Sequence, residues 1–179
     1  MKQTNLKKAL EKFADNVETK ARANLKSKGK NSTGELYNSV KSTLKVSKNS
    51  FELTFPLAPY WQFIDYGVKG AGGTKADGSK WNLKKVTNSK FKYTNKRPPI
   101  KVFNGWTIRK GIAPRNSGGQ FTSRRGLMFA IANSVFHTGL ETTSFFTKPF
   151  GSEFKKLPYE VTEGYALDLE NFLEISLKY

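Results

Sequence analysis

Apolar residues recur with a helical period over the first part of the chain. They follow the i, i+4, i+7 spacing, and Lys, Glu and Asp fill the positions between them. These apolar residues are Leu6, Leu10, Phe13, Val17, Ala21 and Leu25. Thr4 or Asn5 supplies a short side-chain oxygen that accepts a backbone N–H left unpaired at a helix start. The pattern therefore predicts an amphipathic helix that begins near Thr4 and ends within residues 26–29.

The period then shortens to two residues. Apolar and polar residues alternate over 40–46 and again over 51–55, and the Ser-Lys-Asn-Ser sequence at 47–50 favours a turn between them. Pro56 ends the second run, because proline lacks the N–H that a paired strand donates. This pattern predicts an antiparallel hairpin, preceded over 34–40 by a short helical turn or a strand entry.

A compact aromatic run follows the hairpin. Tyr60, Trp61, Phe63 and Ile64 have the spacing of one face of a short helix, and Gly67 ends the run. We expect these four side chains to anchor that helix in the core. Truncation of a fully buried Phe63 to alanine would then cost about 3–5 kcal/mol.

Residues around Asn104 indicate a second hairpin. Asn-Gly at 104–105 stands between two β-prone runs within 100–109, which is the strongest short-range hairpin signal. Phe103 and Trp106 would then face each other across the turn.

Two helices are predicted toward the end of the chain. Residues 127–137 carry Leu, Ile and Val on one line, and Gly139 marks a helix end. The last helix spans Pro158 to Leu177, with an apolar face of Val161, Tyr165, Leu169, Phe172 and Leu173. We expect the first and last helices to pack on the same small antiparallel sheet. The predicted fold class is α+β, with a long basic loop or hairpin insertion.

Charge changes this picture in one segment. The chain has 31 Lys and Arg against 14 Asp and Glu, a formal net charge of +17. Residues 66–125 hold 15 of the basic residues and one acid, Asp77. We interpret residues 67–125 as a Gly- and aromatic-rich basic insertion within a single domain that spans residues 1–179. Like charges repel, so we expect this insertion to be ordered only in an assembly.

The basic residues of the insertion are candidates for contact with DNA or with a neighbouring subunit. They alternate with aromatic residues such as Trp81 and Phe91, and together they would attract a polyanion through its phosphates. The candidates are Lys84, Lys85, Lys90, Lys92, Lys96, Arg97, Lys101, Arg109, Lys110, Arg115, Arg124 and Arg125. The residues alone leave both partners open.

Residues that carry catalysis are scarce. The chain has no Cys, and its sole histidine, His137, follows an apolar helical run without another metal ligand or base beside it. Asp65 and Asp77 stand far apart, whereas nuclease-like sites cluster carboxylates around divalent cations. The sequence therefore argues against an enzyme, including one that acts on nucleic acid or cell wall, and implies no cofactor or metal. No apolar run is long enough for a membrane span.

Three short motifs resemble one family. Residues 31–40 (NSTGELYNSV) are similar to a TG-x-L-x-x-S-(I/V) box, with Thr33, Gly34, Leu36 and Ser39 at its defined positions. Residues 60–70 (YWQFIDYGVKG) resemble a Y-x-x-(F/V)-(E/D)-x-G-(T/V)-x-G box, with Tyr60, Phe63, Asp65 and Gly67. Residues 146–150 contain Lys-Pro-Phe, which resembles an (R/K)-P-F box with Pro149 and Phe150. The boxes and their order resemble the tail-completion and head–tail joining (neck) proteins of tailed bacteriophages, which are minor tail protein Z-like.

This resemblance implies a structural, non-enzymatic virion protein. Such proteins assemble as a homo-oligomeric ring, a hexamer or a dodecamer, where the DNA-filled head meets the tail. The implied partners are the phage portal, connector and tail proteins and the packaged DNA, and the implied location is the virion after assembly in the host cytoplasm. The alternative from the charge pattern is a sequence-independent nucleic-acid-binding protein that uses the basic insertion.

Overall fold

A computed structural model describes residues 4–30, 32–47, 50–116 and 118–177 of the chain. These described residues form seven helices and four short strands, which confirms the α+β class. The helices are α1 (Thr4–Ser27), α2 (Glu35–Ser39), α3 (Trp61–Asp65), α4 (Val102–Arg109), α5 (Arg124–Thr138), α6 (Thr147–Phe154) and α7 (Leu157–Leu177). The strands are β1 (Thr43–Val46), β2 (Phe51–Thr54), β3 (Val68–Lys69) and β4 (Gly139–Leu140).

The chain divides into two compact units. The terminal unit consists of Met1–Pro59 together with Ser144–Tyr179, and the inner unit is the continuous segment Tyr60–Thr143. The inner unit carries 15 basic and 3 acidic residues, a net charge of +12. The predicted basic insertion therefore lies inside a unit that also contains α3, α5 and both strands of the β3–β4 pair.

Helix α1 packs along α7 in the terminal unit. Gly164 of α7 comes so close that a Cβ there would lie 3.0 Å from the carbonyl carbon of Asn5 and 3.1 Å from the nitrogen of Leu6. One turn further on, the buried carboxylate of Asp168 accepts the N–H of Asn5 at 2.9 Å and the N–H of Leu6 at 3.0 Å. Asp168 thus caps the start of α1 from another helix.

An aromatic cluster fills the space between α1, α6 and the hairpin. The ring of Phe150 lies 5.6 Å from Phe13 of α1, 6.1 Å from Phe55 and 5.7 Å from Phe146, measured between centroids. Phe145 is completely buried beside this cluster. These rings, with Val17, Ala21 and Leu25 of α1, form the core of the terminal unit.

The hairpin follows α2 as the alternation predicts. Strands β1 and β2 pair antiparallel, with Leu44 opposite Leu53. Lys48 and Asn49 of the predicted turn lie outside the described residues. Helix α1 holds the entry to the hairpin, since Nη2 of Arg22 donates to the carbonyl of Val40.

Two glycines allow the close pairing of β3 with β4 in the inner unit. Gly67 has a left-handed φ of +74°, and a Cβ there would lie 2.5 Å from the carbonyl oxygen of Leu140. A Cβ on Gly70 would lie 2.2 Å from the carbonyl oxygen of His137. Both glycines belong to the predicted second box, so this box is required by backbone packing.

Backbone hydrogen bonds hold much of the basic insertion against this pair of strands. Lys69 of β3 accepts the N–H of Tyr93 at 2.9 Å and donates to the carbonyl of Phe91 at 2.9 Å. The N–H of Lys84 donates to Thr138 at 2.8 Å, and that of Thr142 donates to the carbonyl of Lys85 at 3.2 Å. These bonds order a segment whose composition alone predicts disorder in the isolated chain.

Three sequence-based expectations are wrong in detail. Residues 102–109 form the helix α4 and not a hairpin at Asn104-Gly105. Phe63 is 42% exposed and stacks against Phe91 with 4.6 Å between centroids, so it is not a core anchor, whereas Asp65 in the same helix is fully buried. On α7 the apolar stripe does not face the core, because Gly164 and Asp168 face α1 instead.

Candidate nucleic-acid or subunit interface

The twelve candidate cations of the insertion all have exposed side chains. They form four local groups along the inner unit. Lys84, Lys85, Lys90 and Lys92 lie beside the β3–β4 pair, and Lys101, Arg109 and Lys110 lie on or beside α4. Lys96, Arg97 and Arg115 lie in the segments that flank α4, and Arg124 and Arg125 open α5.

Arginines of this unit lie over aromatic rings. The guanidinium carbon of Arg97 lies 5.4 Å from the ring centroid of Phe129 and 5.9 Å from that of Phe136, two residues of α5. The guanidinium of Arg115 lies 4.0 Å from the centroid of Phe121 and donates from Nη1 to the carbonyl of Gly119 at 2.7 Å. Such cation–π contacts fix the direction of the cations at little cost to their charge.

The sole histidine takes part in a stack. The ring of His137 lies parallel to that of Trp81 at 4.9 Å, and Lys75 lies over Trp81 at 5.4 Å. Nδ1 of His137 lies 2.6 Å from the carbonyl oxygen of Gly72, which places a proton on that nitrogen. His137 therefore holds residues 72–81 against α5, in agreement with the expected helix-end role.

The sequence analysis missed two of these features. Lys75 was not among the candidate cations, although its neighbour Trp81 was noted. The pairing of Trp81 with His137 joins residues far apart in the chain, and nothing in their spacing predicts it.

The start of α5 is electrostatically unfavourable. Arg124 and Arg125 lie in its first turn, where the helix dipole is positive, and Ser123 at the cap makes no side-chain hydrogen bond. Two cations at this position repel both each other and the helix end. An anion near these residues would reduce that repulsion.

Acids of the inner unit are engaged within it. Oδ1 of Asp77 accepts the N–H of Ser79 at 2.9 Å and its hydroxyl at 2.6 Å, and these bonds lower the pKa of Asp77. The buried Asp65 accepts the N–H of Thr143 at its backbone carbonyl, at 3.1 Å. Neither arrangement resembles a catalytic pair of carboxylates.

Residues of the three boxes serve the fold. In the first box Thr33 accepts the N–H of Glu35 at 3.4 Å, Gly34 precedes α2 with a φ of +76°, and Leu36 is buried. The hydroxyl of Ser39 accepts the N–H of Ala58 at 3.0 Å. Asn31 at the start of the box lies outside the described residues.

The second and third boxes have the same character. Tyr60 precedes α3 and is half-buried, as is Phe150 of the aromatic cluster, and Pro149 is buried. The hydroxyls of Thr142 and Thr143 donate to the carbonyls of Tyr66 and Ile64 at 2.7 and 2.6 Å, which joins the end of the second box to the segment after β4. The boxes are thus determinants of local structure.

Other classes of site are not visible in the described part of the chain. No three or more His, Cys, Asp or Glu side chains of the described residues come together as metal ligands would. Among the same residues, no helix has the length and apolar character that a membrane crossing requires. Comparison of the chain with protein-family models, with curated proteins and with solved structures finds no match.

Proposed function

We propose that the protein is a structural subunit of a ring at the head–tail junction of a tailed bacteriophage. The observation that carries this proposal is the role of the three boxes. Gly34 and Ser39 shape the entry to the hairpin, Gly67 permits the β3–β4 pairing, and Pro149 with Phe150 lies at the aromatic core. A resemblance confined to residues that determine local structure supports a shared fold, and the proposed function follows from that fold.

The location of the charge also supports this proposal. The inner unit carries a net charge of +12 with its candidate cations exposed, while α7 carries five acidic residues and no Lys or Arg. A subunit beside a DNA exit path has a use for exposed cations. A subunit with oppositely charged surfaces also has a means to bind its neighbours.

Deletion of the gene from its phage tests this function. We expect lysates of the deletion to contain DNA-filled heads and separate tails in electron micrographs, because the joining ring is missing. A plasmid copy of the wild-type chain should restore tailed particles and titre. Complete tailed particles at wild-type titre without the gene would contradict the proposal.

A second candidate function is sequence-independent binding of nucleic acid. The observation that favours it is the exposure of all twelve candidate cations on one unit. If about 6–10 phosphates are contacted, affinity for a DNA duplex falls by roughly 10³–10⁵ between 50 and 200 mM salt. Replacing Arg124 and Arg125 with glutamine should reduce that salt dependence, because each lost phosphate contact lowers the slope by about one.

The matched control for this experiment lies in the terminal unit. Lys8 and Lys26 are exposed lysines of α1, so glutamine at both removes two charges without touching the inner unit. Equal salt slopes for the two double variants would show that DNA binding, where present, is not a property of the inner unit.

A further inference from the structure

Helix α7 has two faces of different character. Gly164 and Asp168 face α1 and are buried. Elsewhere on the helix Tyr165, Leu169, Phe172 and Leu173 follow the i, i+4, i+7, i+8 spacing of a packing face, yet their side chains are 40–49% exposed. We call these four residues the outer stripe. Four large apolar side chains in one exposed row indicate an interaction surface.

Charge selects the kind of partner that covers the outer stripe. The exposed side chains of Glu163 and Glu170 lie on the same helix, and α7 carries no Lys or Arg. Packing two copies of α7 against each other would bring these acids together, which opposes a symmetric α7–α7 contact. A basic surface with exposed apolar residues is the complementary partner.

Helix α4 of the inner unit presents such a surface. Val102 and Ile108 are 62% and 54% exposed, and Lys101 and Lys110 at the two ends of α4 are exposed as well. Two other exposed apolar side chains, Phe121 and Phe129, already have an arginine of the same chain over their rings. Val102 and Ile108 therefore offer the apolar surface on a basic helix.

We propose that the outer stripe of one copy of this chain packs on the exposed face of α4 of the next copy. The contact joins two different surfaces, so each copy offers one of each and the series continues until its rotation closes a ring. The inference rests on the proposed ring function and deepens it by naming the two surfaces through which subunits join.

Single substitutions on the two surfaces test the contact. The full-length wild-type chain should form a species larger than a dimer in size-exclusion chromatography with light scattering. Leu169→Glu and Ile108→Glu should each abolish that species, because each places a charge at one side of the apolar contact. Tyr165→Glu is a second variant of the outer stripe, and circular dichroism verifies that each variant is folded.

Leu167→Glu is the matched control. Leu167 lies on the same helix, is 46% exposed, and is outside the outer stripe. The same substitution there should leave the oligomer unchanged. Loss of the oligomer in this control to the same extent as in Leu169→Glu would overturn the proposal, because negative charge on α7 alone would then explain both.

Mixing the two defective variants gives the sharpest result. A Leu169→Glu chain retains its α4 surface and an Ile108→Glu chain retains its outer stripe, so the mixture should form a heterodimer and nothing larger. A symmetric α7–α7 contact predicts instead that Ile108→Glu still oligomerises alone. That result, absence of the heterodimer, or a wild-type chain that stays monomeric at every concentration would each overturn the proposal.

The phage deletion separates this proposal from the proposed function. Rescue of tailed particles by Leu169→Glu would overturn the contact and leave the head–tail role in place. A deletion without any effect on particles would remove that role, and the mixing experiment would still decide whether the two surfaces bind each other.

Discussion

The carboxylate of Asp168 binds the backbone of Asn5 at the start of α1. Oδ1 accepts the N–H of Asn5 at 2.9 Å and its side-chain amide at 3.0 Å, and Oδ2 accepts the N–H of Leu6 at 3.0 Å. A helix start leaves such N–H groups unpaired and carries a partial positive charge. A buried carboxylate on α7 thus performs the capping that a local side chain usually provides.

Removal of this carboxylate should destabilise the terminal unit. Asp168→Ala leaves buried N–H groups unpaired, so we expect the free energy of unfolding to fall by about 1–3 kcal/mol in urea titrations. Glu170→Ala, an exposed acid on the same helix, should change it by less than about 0.5 kcal/mol. Equal effects of the two substitutions would show that the cap contributes no specific stability.

The stability of the terminal unit should depend on pH in the acid range. Burial opposes the charge of Asp168, but the N–H groups of Leu6 and Asn5 outweigh it and lower the pKa of Asp168. The hydrogen bond from Lys20 is the main cause that lowers the pKa of Glu153, whose carboxylate is also buried. Each group binds its proton less tightly in the folded chain than in the unfolded one.

The sign of the effect follows from these shifts. The stabilisation is fully present above the unfolded pKa values, about 3.9 for Asp and 4.3 for Glu, and is lost as the pH falls through the lower folded values. Melting temperatures measured from pH 6 to pH 2 should therefore fall, and the fall should be smaller in Asp168→Asn. A variant that follows the wild-type curve would show that Asp168 does not contribute to it.

Glycines of the inner unit should respond to alanine in opposite directions. Gly70→Ala places a Cβ on the carbonyl oxygen of His137, so we expect a loss of stability and a lower melting temperature. Gly126 lies inside α5 with open space around its Cβ position, so Gly126→Ala should stabilise the unit by about 0.5–1 kcal/mol. A neutral Gly70→Ala would mean that β3 and β4 are farther apart than described.

Two phenylalanines should differ in their contribution to stability. Phe145 is completely buried, and Phe145→Ala should cost about 3–5 kcal/mol. Phe63 is 42% exposed, so Phe63→Ala should cost clearly less and not the full amount expected from the aromatic run alone. Chemical unfolding of both variants at one pH gives the comparison, and equal losses would contradict the burial of these rings.

Trypsin should cut the inner unit in a defined order. Lys84 and Lys92 lie in segments whose backbones bond to Thr138 and Lys69, whereas Arg115 lies in a turn whose bonds are local, such as that from Asn116 to Gln120. Because cleavage requires local opening, peptides cut after Arg115 should appear first in mass spectra of a time course. Simultaneous cutting at all three residues would support the expectation of an insertion that is ordered only in an assembly.

Periodicity was sufficient for the elements whose packing follows their own pattern. The regular apolar spacing of α1 and the alternation of β1 and β2 correspond to the structure closely. Asn104-Gly105 shows the limit of a local signal, since α4 packs against α5 and tertiary packing overrides a turn preference. Helix α6 and the two-residue strands β3 and β4 are too short to produce a readable period.

The orientation of α7 shows a second limit. Its strongest apolar stripe was read as the core face, whereas a small residue and an acid, Gly164 and Asp168, face α1. Glycine permits a closer approach than leucine, and the carboxylate satisfies the helix start of α1. An acidic residue four positions after a glycine within a helix was the available signal, and hydrophobic periodicity gives it no weight.

The order of the two units along the chain has consequences for synthesis on the ribosome. Helix α1 emerges well before α6 and α7, and at about 5–20 residues per second the wait is on the order of ten seconds. The inner unit is continuous, so it is complete while Phe13, Val17 and Leu25 of α1 still lack their partners. Folding during translation therefore proceeds from the middle of the chain outward, and the terminal unit closes only when Asp168 has left the exit tunnel.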